Sequence, residues 1–143
     1  MSGPAIVAAA RGWLGTPYRH RAATRGAGCD CLGLLRGVWA EVSGQTAPAL
    51  PLYSADWRDG AHRDELLALA RRLLVPAEVP EAGTVVLFRL GTSPWPRHCG
   101  ILVAPDRFIH AQERIGVVEA NLTDGWRRRV AGWFVFVESG PPA

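Results

Sequence analysis

The chain has 143 residues, 48% of them hydrophobic, so it is long enough to bury a core without staples and reads as one domain spanning residues 1–143. Its formal charge is only +3, a mild basic excess that suits an anionic polymer but is too small to point to nucleic acid. Three cysteines cannot all pair with one another, and Cys29 and Cys31 stand too close in sequence for an easy bridge; a disulfide framework is therefore set aside and a reducing compartment during synthesis is expected.

Pro4 falls where a first helical turn tolerates it, and the run to Leu14 ends at Gly15, which predicts a first helix. This segment has no basic leader and its apolar run is broken by Gly12, so it does not read as a signal peptide. A role outside the cell would then need another route of delivery. No stretch reaches the ~18–20 apolar residues of a transmembrane span. Residues 16–28, "TPYRHRAATRGAG", are polar and glycine-bearing and read as a loop. From Cys31 onward, apolar residues at 31, 34, 35, 38 and 42 fall on one helical face, and Ser43-Gly44 ends the helix. The next stretch, "QTAPALPLYS", is proline-rich and extended. An amphipathic helix is expected from Asp64 to Leu74, with Leu66, Leu67, Ala70, Leu73 and Leu74 on its apolar side.

After Pro76 the texture changes. "GTVVLFRL", "HCGILVA", "RFIHAQ", "GVVEAN" and "GWFVFVES" are short, rich in β-branched and aromatic residues, and separated by turn formers. Their spacing leaves no room for crossover helices, which predicts a mainly antiparallel sheet. Helices first and strands afterwards is the α+β pattern, with N-terminal helices packed on one side of a five- to six-stranded sheet. The run Trp126-Arg127-Arg128-Arg129 reads as a solvated face.

The chemistry centres on "GAGCDCLGLLRG", residues 26–37. A cysteine attacks as its thiolate, which the unpaired N–H groups of a helix start stabilise. Cys31 stands at such a start, with Asp30 able to cap the helix, whereas Cys29 lies before it. A small buried hydrophobe on the apolar stripe is the competing reading of Cys31. A thiol nucleophile needs an imidazole, and the imidazole needs a polar group to orient it. Of the four histidines, His20 and His62 read as surface residues. His98 and His110 lie on consecutive predicted strands in "RHCGILVAPDRFIHA", and a hairpin at Pro105-Asp106 would bring them side by side. A helix-borne Cys facing a strand-borne His is the arrangement of papain-like cysteine hydrolases.

Four stretches carry a family resemblance: "WLGTPYRH", "GCDCLGLLRGVW", "PEAGTVVLFRL" and "RHCGILVAPDRFIHA". The chain resembles NlpC/P60-type cysteine peptidases, more narrowly the small versions from phage tails and bacterial gene transfer agents. That resemblance implies a papain-like fold with Cys31 as nucleophile, His98 as general base and His110 orienting it. It also implies Tyr18 at the oxyanion site, together with the Cys31 backbone N–H, and Asp30 beside the substrate cleft. The implied reaction needs no cofactor and no metal. It is hydrolysis of an amide in the peptidoglycan stem peptide, typically the γ-D-glutamyl to diamino acid bond, by way of an acyl-enzyme. The implied setting is a phage-like tail or baseplate. Leu32 replaces a common serine, and "RHRAATRGAG" replaces the paired glycines that often follow the Pro-Tyr segment. The insert across residues 44–78 could form a cleft wall or a docking surface.

Three rivals remain at this point. Cys29, Cys31, His98, Cys99 and His110 could supply a zinc site, although Cys-x-Cys is an unusual spacing and His98 and Cys99 would point to opposite faces of a strand. The fold could serve as a structural tail module with little activity. It could also be a Cys/His amidase or acyltransferase.

Overall fold

The structure, a computed structural model, describes residues 1–48 and 64–138. Helix α1 spans Gly3–Arg11 and is capped by Ser2, whose side chain accepts the Ala5 N–H at 3.2 Å. It ends earlier than the expected Leu14. Beyond Gly12 the chain tightens into i−3 bonds, Trp13 N–H to Ala10 O at 3.0 Å and Leu14 N–H to Arg11 O at 3.2 Å. It then leaves through Gly15 at φ +85°, a left-handed conformation that glycine adopts without strain. The predicted loop contains a small hairpin, β1 (Ala23–Thr24) with β2 (Gly28–Cys29).

Helix α2 covers Cys31–Ser43 as expected, between the Asp30 cap and Gly44 at φ +71°. Trp13 can pack closely against it because residue 37 is glycine: a Cβ there would sit 2.1 Å from the Trp13 ring. The expected Asp64–Leu74 helix is shorter, α3 at Glu65–Ala70, and Leu74 opens a strand instead, β3 at Leu74–Ala77. Pro76 cannot extend a helix, but at the sheet edge its missing N–H costs no ladder bond.

The remaining elements are β4 (Val85–Arg89), β5 (Pro96–Ala104), β6 (Arg107–Gln112), β7 (Gly116–Asn121), α4 (Asp124–Arg127) and β8 (Val130–Phe136). Strands β3 to β8 form one six-stranded sheet in the order β3-β8-β4-β5-β6-β7, every neighbouring pair antiparallel. This is the α+β arrangement expected. Alternation along the strands separates two cores. Leu87, Cys99, Ile101 and Ile109 face Leu34, Leu35, Val38 and Trp39 of α2. Val86, Phe88, Leu102 and Phe108 face the other way, toward Leu122 and Trp126. Each fully buried side chain of this size contributes roughly 1.5–3 kcal/mol over an exposed one, so α2 is held firmly. That firmness positions its first residue, Cys31. Among the described residues no helix is long and apolar enough to cross a membrane.

Candidate active site

Asp30 organises the start of α2. It is fully buried, and its two carboxylate oxygens accept the Gly33 N–H and the Arg21 N–H, each at 2.7 Å. Reaching Asp30 puts Arg21 at φ +62°. Cys31 is then the first helical residue, next to first-turn N–H groups that have no carbonyl partner within the helix. Tyr18 is fastened to the same corner, because the Arg19 N–H donates to Cys29 O and the Cys29 N–H to Pro17 O, both at 3.0 Å. Asp30 itself does not line the cavity in front of Cys31. Its carboxylate caps α2 beside Cys31, while Tyr18 lines the cavity.

His98 and His110 share the face of the sheet away from α2, and His98 Nε2 lies 2.7 Å from His110 Nδ1. They are not directly opposite, as simple pairing across the turn would have them. The register Ile101↔Ile109 and Leu102↔Phe108 brings Gly100, not His98, against His110. Lacking a side chain, Gly100 leaves room for His98 to lean diagonally: a Cβ there would come within 2.9 Å of Ile109 O and 3.3 Å of His110 Cβ. Cys99, the neighbour of His98, faces the helix side of the sheet, as strand alternation requires.

Burial lowers the pKa of His110 from the usual 6.5 to about 4, so the ring is neutral near pH 7. A neutral His110 with its proton on Nε2 offers Nδ1 as an acceptor for His98 Nε2–H, which leaves His98 Nδ1 to exchange a proton with a thiol. The same shift has a stability consequence. Between pH 6.5 and about 4 the unfolded chain takes up a proton at His110 that the folded chain refuses. This contribution is complete above pH 6.5 and is lost as pH falls through that window. Urea unfolding should therefore give a stability about 2 kcal/mol lower at pH 5 than at pH 7 from this group. His110→Asn should show a correspondingly smaller drop; equal drops in both proteins would refute the assignment.

Tyr18, Cys31, Arg97, His98, His110 and Trp126 line one cavity of about 340 Å³. Trp126 is the residue that the sequence reading passed over. Its arginine neighbours are exposed as expected, but α4 turns the indole inward. The ring centroid lies 6.0 Å from His98, 5.5 Å from His110 and 4.7 Å from Phe88. The available signal was Thr123, a helix cap whose side chain accepts the Trp126 N–H at 3.4 Å. A short helix, unlike a solvated run, has an inner face.

The three thiols are not equivalent. Cys29 is pushed up to about 12 by burial first, then by the Asp30 carboxylate and by Cys31. Cys99 is also raised well above the usual thiol range, by complete burial and by a hydrogen bond with the Cys31 side chain. Neither is a thiolate near neutral pH, and Cys31 alone of the three lines the cavity. Among the described residues no group of three or more His, Cys, Asp and Glu side chains is arranged to hold a metal ion. His20 is half-buried, its Nδ1 3.8 Å from Asp30 Oδ2; His62 and the "PLYSADW" stretch lie outside the described residues.

A cysteine at a helix start, sharing a cavity with a histidine that is hydrogen-bonded to a second histidine, is a layout suited to covalent acyl transfer. The sequence profile of the NlpC/P60 family matches residues 15–134. The chain belongs to the NlpC/P60 family. Among curated proteins, a probable endopeptidase of Haemophilus influenzae is 25% identical over 112 residues, covering 78% of this chain and 60% of that protein. The murein DD-endopeptidase MepS/murein LD-carboxypeptidase of Escherichia coli K12 is 26% identical over 118 residues, covering 82% of this chain and 54% of that protein. The chain thus spans just over half the length of these relatives. In fold it is similar to the NlpC/P60 domain of the peptidoglycan hydrolase SagA, with a TM-score of 0.60 at 22% identity over 94% of this chain and 98% of that one. It is likewise similar to an NlpC/P60 family protein of Bacillus cereus, with a TM-score of 0.63 at 21% identity over 93% of this chain and 39% of that one.

Proposed function

We propose that this chain is a cysteine endopeptidase that hydrolyses an amide in the peptidoglycan stem peptide. The observation that carries the reading is the His98 Nε2–His110 Nδ1 hydrogen bond beside Cys31 in a single cavity. In this mechanism His98 takes the Cys31 thiol proton and the thiolate sulfur attacks the amide carbon. The resulting oxyanion is held by the Cys31 backbone N–H and the Tyr18 hydroxyl. His98 then returns the proton to the departing amine, leaving an acyl-enzyme. Water, deprotonated by His98, attacks that thioester and frees the acid product and the thiol. His110 keeps His98 oriented, and Trp126 covers the pair from solvent.

The finer assignment is the γ-D-glutamyl to diamino acid bond. The name of the Escherichia coli relative favours a second choice, a D,D cross-bridge between stems. Digestion of purified Gram-negative peptidoglycan followed by mass spectrometry tests both. Release of fragments ending in D-glutamate supports the first bond, and resolution of cross-linked dimers into monomers supports the second. A sacculus left intact would overturn the proposal.

We place the enzyme in a phage-like tail or baseplate, where it would open the cell wall. The support is the likeness of "WLGTPYRH" and "GCDCLGLLRGVW" to the small tail-borne members of the family. Co-sedimentation with tail particles is the corresponding measurement.

A further inference from the structure

One wall of the catalytic cavity is formed by the turn between β6 and β7, and it contains an oddity. The Ile115 N–H closes on Gln112 O at 3.1 Å, and the third residue of that turn, Arg114, sits at φ +69°. Glycine or asparagine ordinarily takes such a position, since a side chain there is strained. Arg114 is exposed, and among the described residues no hydrogen bond or ion pair holds its guanidinium. Yet that side chain lines the same cavity as Cys31, His98 and His110.

The turn is also held firmly in place. The Gly15 N–H donates to Val117 O at 3.0 Å and the Val117 N–H to Thr16 O at 2.9 Å. Gly116, at φ +108°, packs so closely that a Cβ would lie 2.6 Å from Thr16 O. The hairpin end is thereby stapled to the segment that leads into Tyr18, and Arg114 is presented from a rigid wall. Among the described residues the other charged groups on the cavity are Arg97 and Glu113. Two guanidiniums against one carboxylate among these residues favour an anionic ligand group. A strained residue on the wall of a reaction cavity is one whose cost can be offset by what it binds.

We propose that Arg114 is a specificity-determining residue that binds a free carboxylate of the stem peptide beside the scissile amide. This rests on the peptidase reading of the site. A γ-linked D-glutamate keeps its α-carboxylate, and the diamino acid beyond the amide keeps a carboxylate too, so either can supply the group. A planar guanidinium matches a carboxylate through two parallel N–H···O bonds.

The test measures binding, not turnover. In a Cys31→Ala background, which prevents hydrolysis, calorimetry compares Arg114 with Arg114→Gly. Three ligands are used: the L-Ala-γ-D-Glu-diaminopimelate tripeptide, its glutamyl α-carboxamide, and its carboxamide at the diamino acid. Arg114→Gly is expected to weaken the tripeptide roughly tenfold without lowering the melting temperature, because glycine suits the turn. One of the two carboxamides should bind both proteins equally, and that one identifies the carboxylate recognised. Equal affinity of both proteins for the tripeptide, or equal losses on all three ligands, would overturn the proposal. If the wild type cleaves peptidoglycan while Arg114→Gly binds normally, only this inference fails. If the tripeptide is neither bound nor cleaved, the peptidase reading falls with it.

Discussion

Cys31→Ala is expected to release no measurable muropeptides from purified peptidoglycan, a loss of at least about 10⁴-fold in kcat/KM. In the proposed mechanism the sulfur is the attacking atom, and among the described residues no other thiol lines the cavity: Cys29 and Cys99 are fully buried. Cys29→Ala removes one buried sulfur, costs stability on the order of 1 kcal/mol, and should leave activity within several-fold of the wild type. His98→Ala should match Cys31→Ala to within about tenfold. Combining the two should cost little more than either alone, because in the proposed mechanism nucleophile and base act as a unit. Circular dichroism and unfolding curves on each variant separate lost chemistry from lost fold. Release of muropeptides by well-folded Cys31→Ala would remove the assignment of the nucleophile.

The second large effect is structural. Gly33 lies in the first turn of α2, where a Cβ would stand 1.8 Å from Ala22 O, 2.9 Å from Ala22 C and 3.1 Å from Asp30 Oδ1. The obstacle is backbone, not the flexible end of a side chain. Ala22 O also accepts the Asp30 N–H at 3.3 Å, and the Gly33 N–H is the donor that Asp30 caps. Gly33→Ala must therefore push the loop away or open the cap, for a loss of about 3 kcal/mol or more. Tyr18 and Cys31 would part as the loop moves, so activity should fall with stability. Gly125→Ala is the control, since its Cβ would find only Thr123 Oγ1 at 3.7 Å. There the gain in helix propensity should leave stability unchanged or up to about 1 kcal/mol higher. Urea midpoints that are the same for both variants would show that the close approach at Gly33 carries no weight.

Much of this site was legible before the fold. The α2 boundaries followed from local chemistry, a capping aspartate at one end and a glycine at the other, and both signals act within a few residues. The five strand segments were legible because alternation and turn residues are also local. The errors occurred where a distant partner decides. Leu73 and Leu74 continue a helical stripe in sequence, but Leu74 pairs with Phe136 across the sheet, and that contact is invisible to periodicity. Trp126 was hidden by the arginines that follow it.

By itself the sequence determined the class of fold, the capped cysteine at a helix start, and the two histidines as a set, because each depends on residue type and short-range spacing. Tertiary structure alone decided how those pieces meet. It set Asp30 beside Cys31 as a cap, with both carboxylate oxygens used by backbone N–H groups. It let His98 reach His110 diagonally across Gly100, a consequence of strand register that no local pattern encodes. It brought Trp126 and Arg114 to the cavity, because packing, unlike propensity, joins residues far apart in the chain.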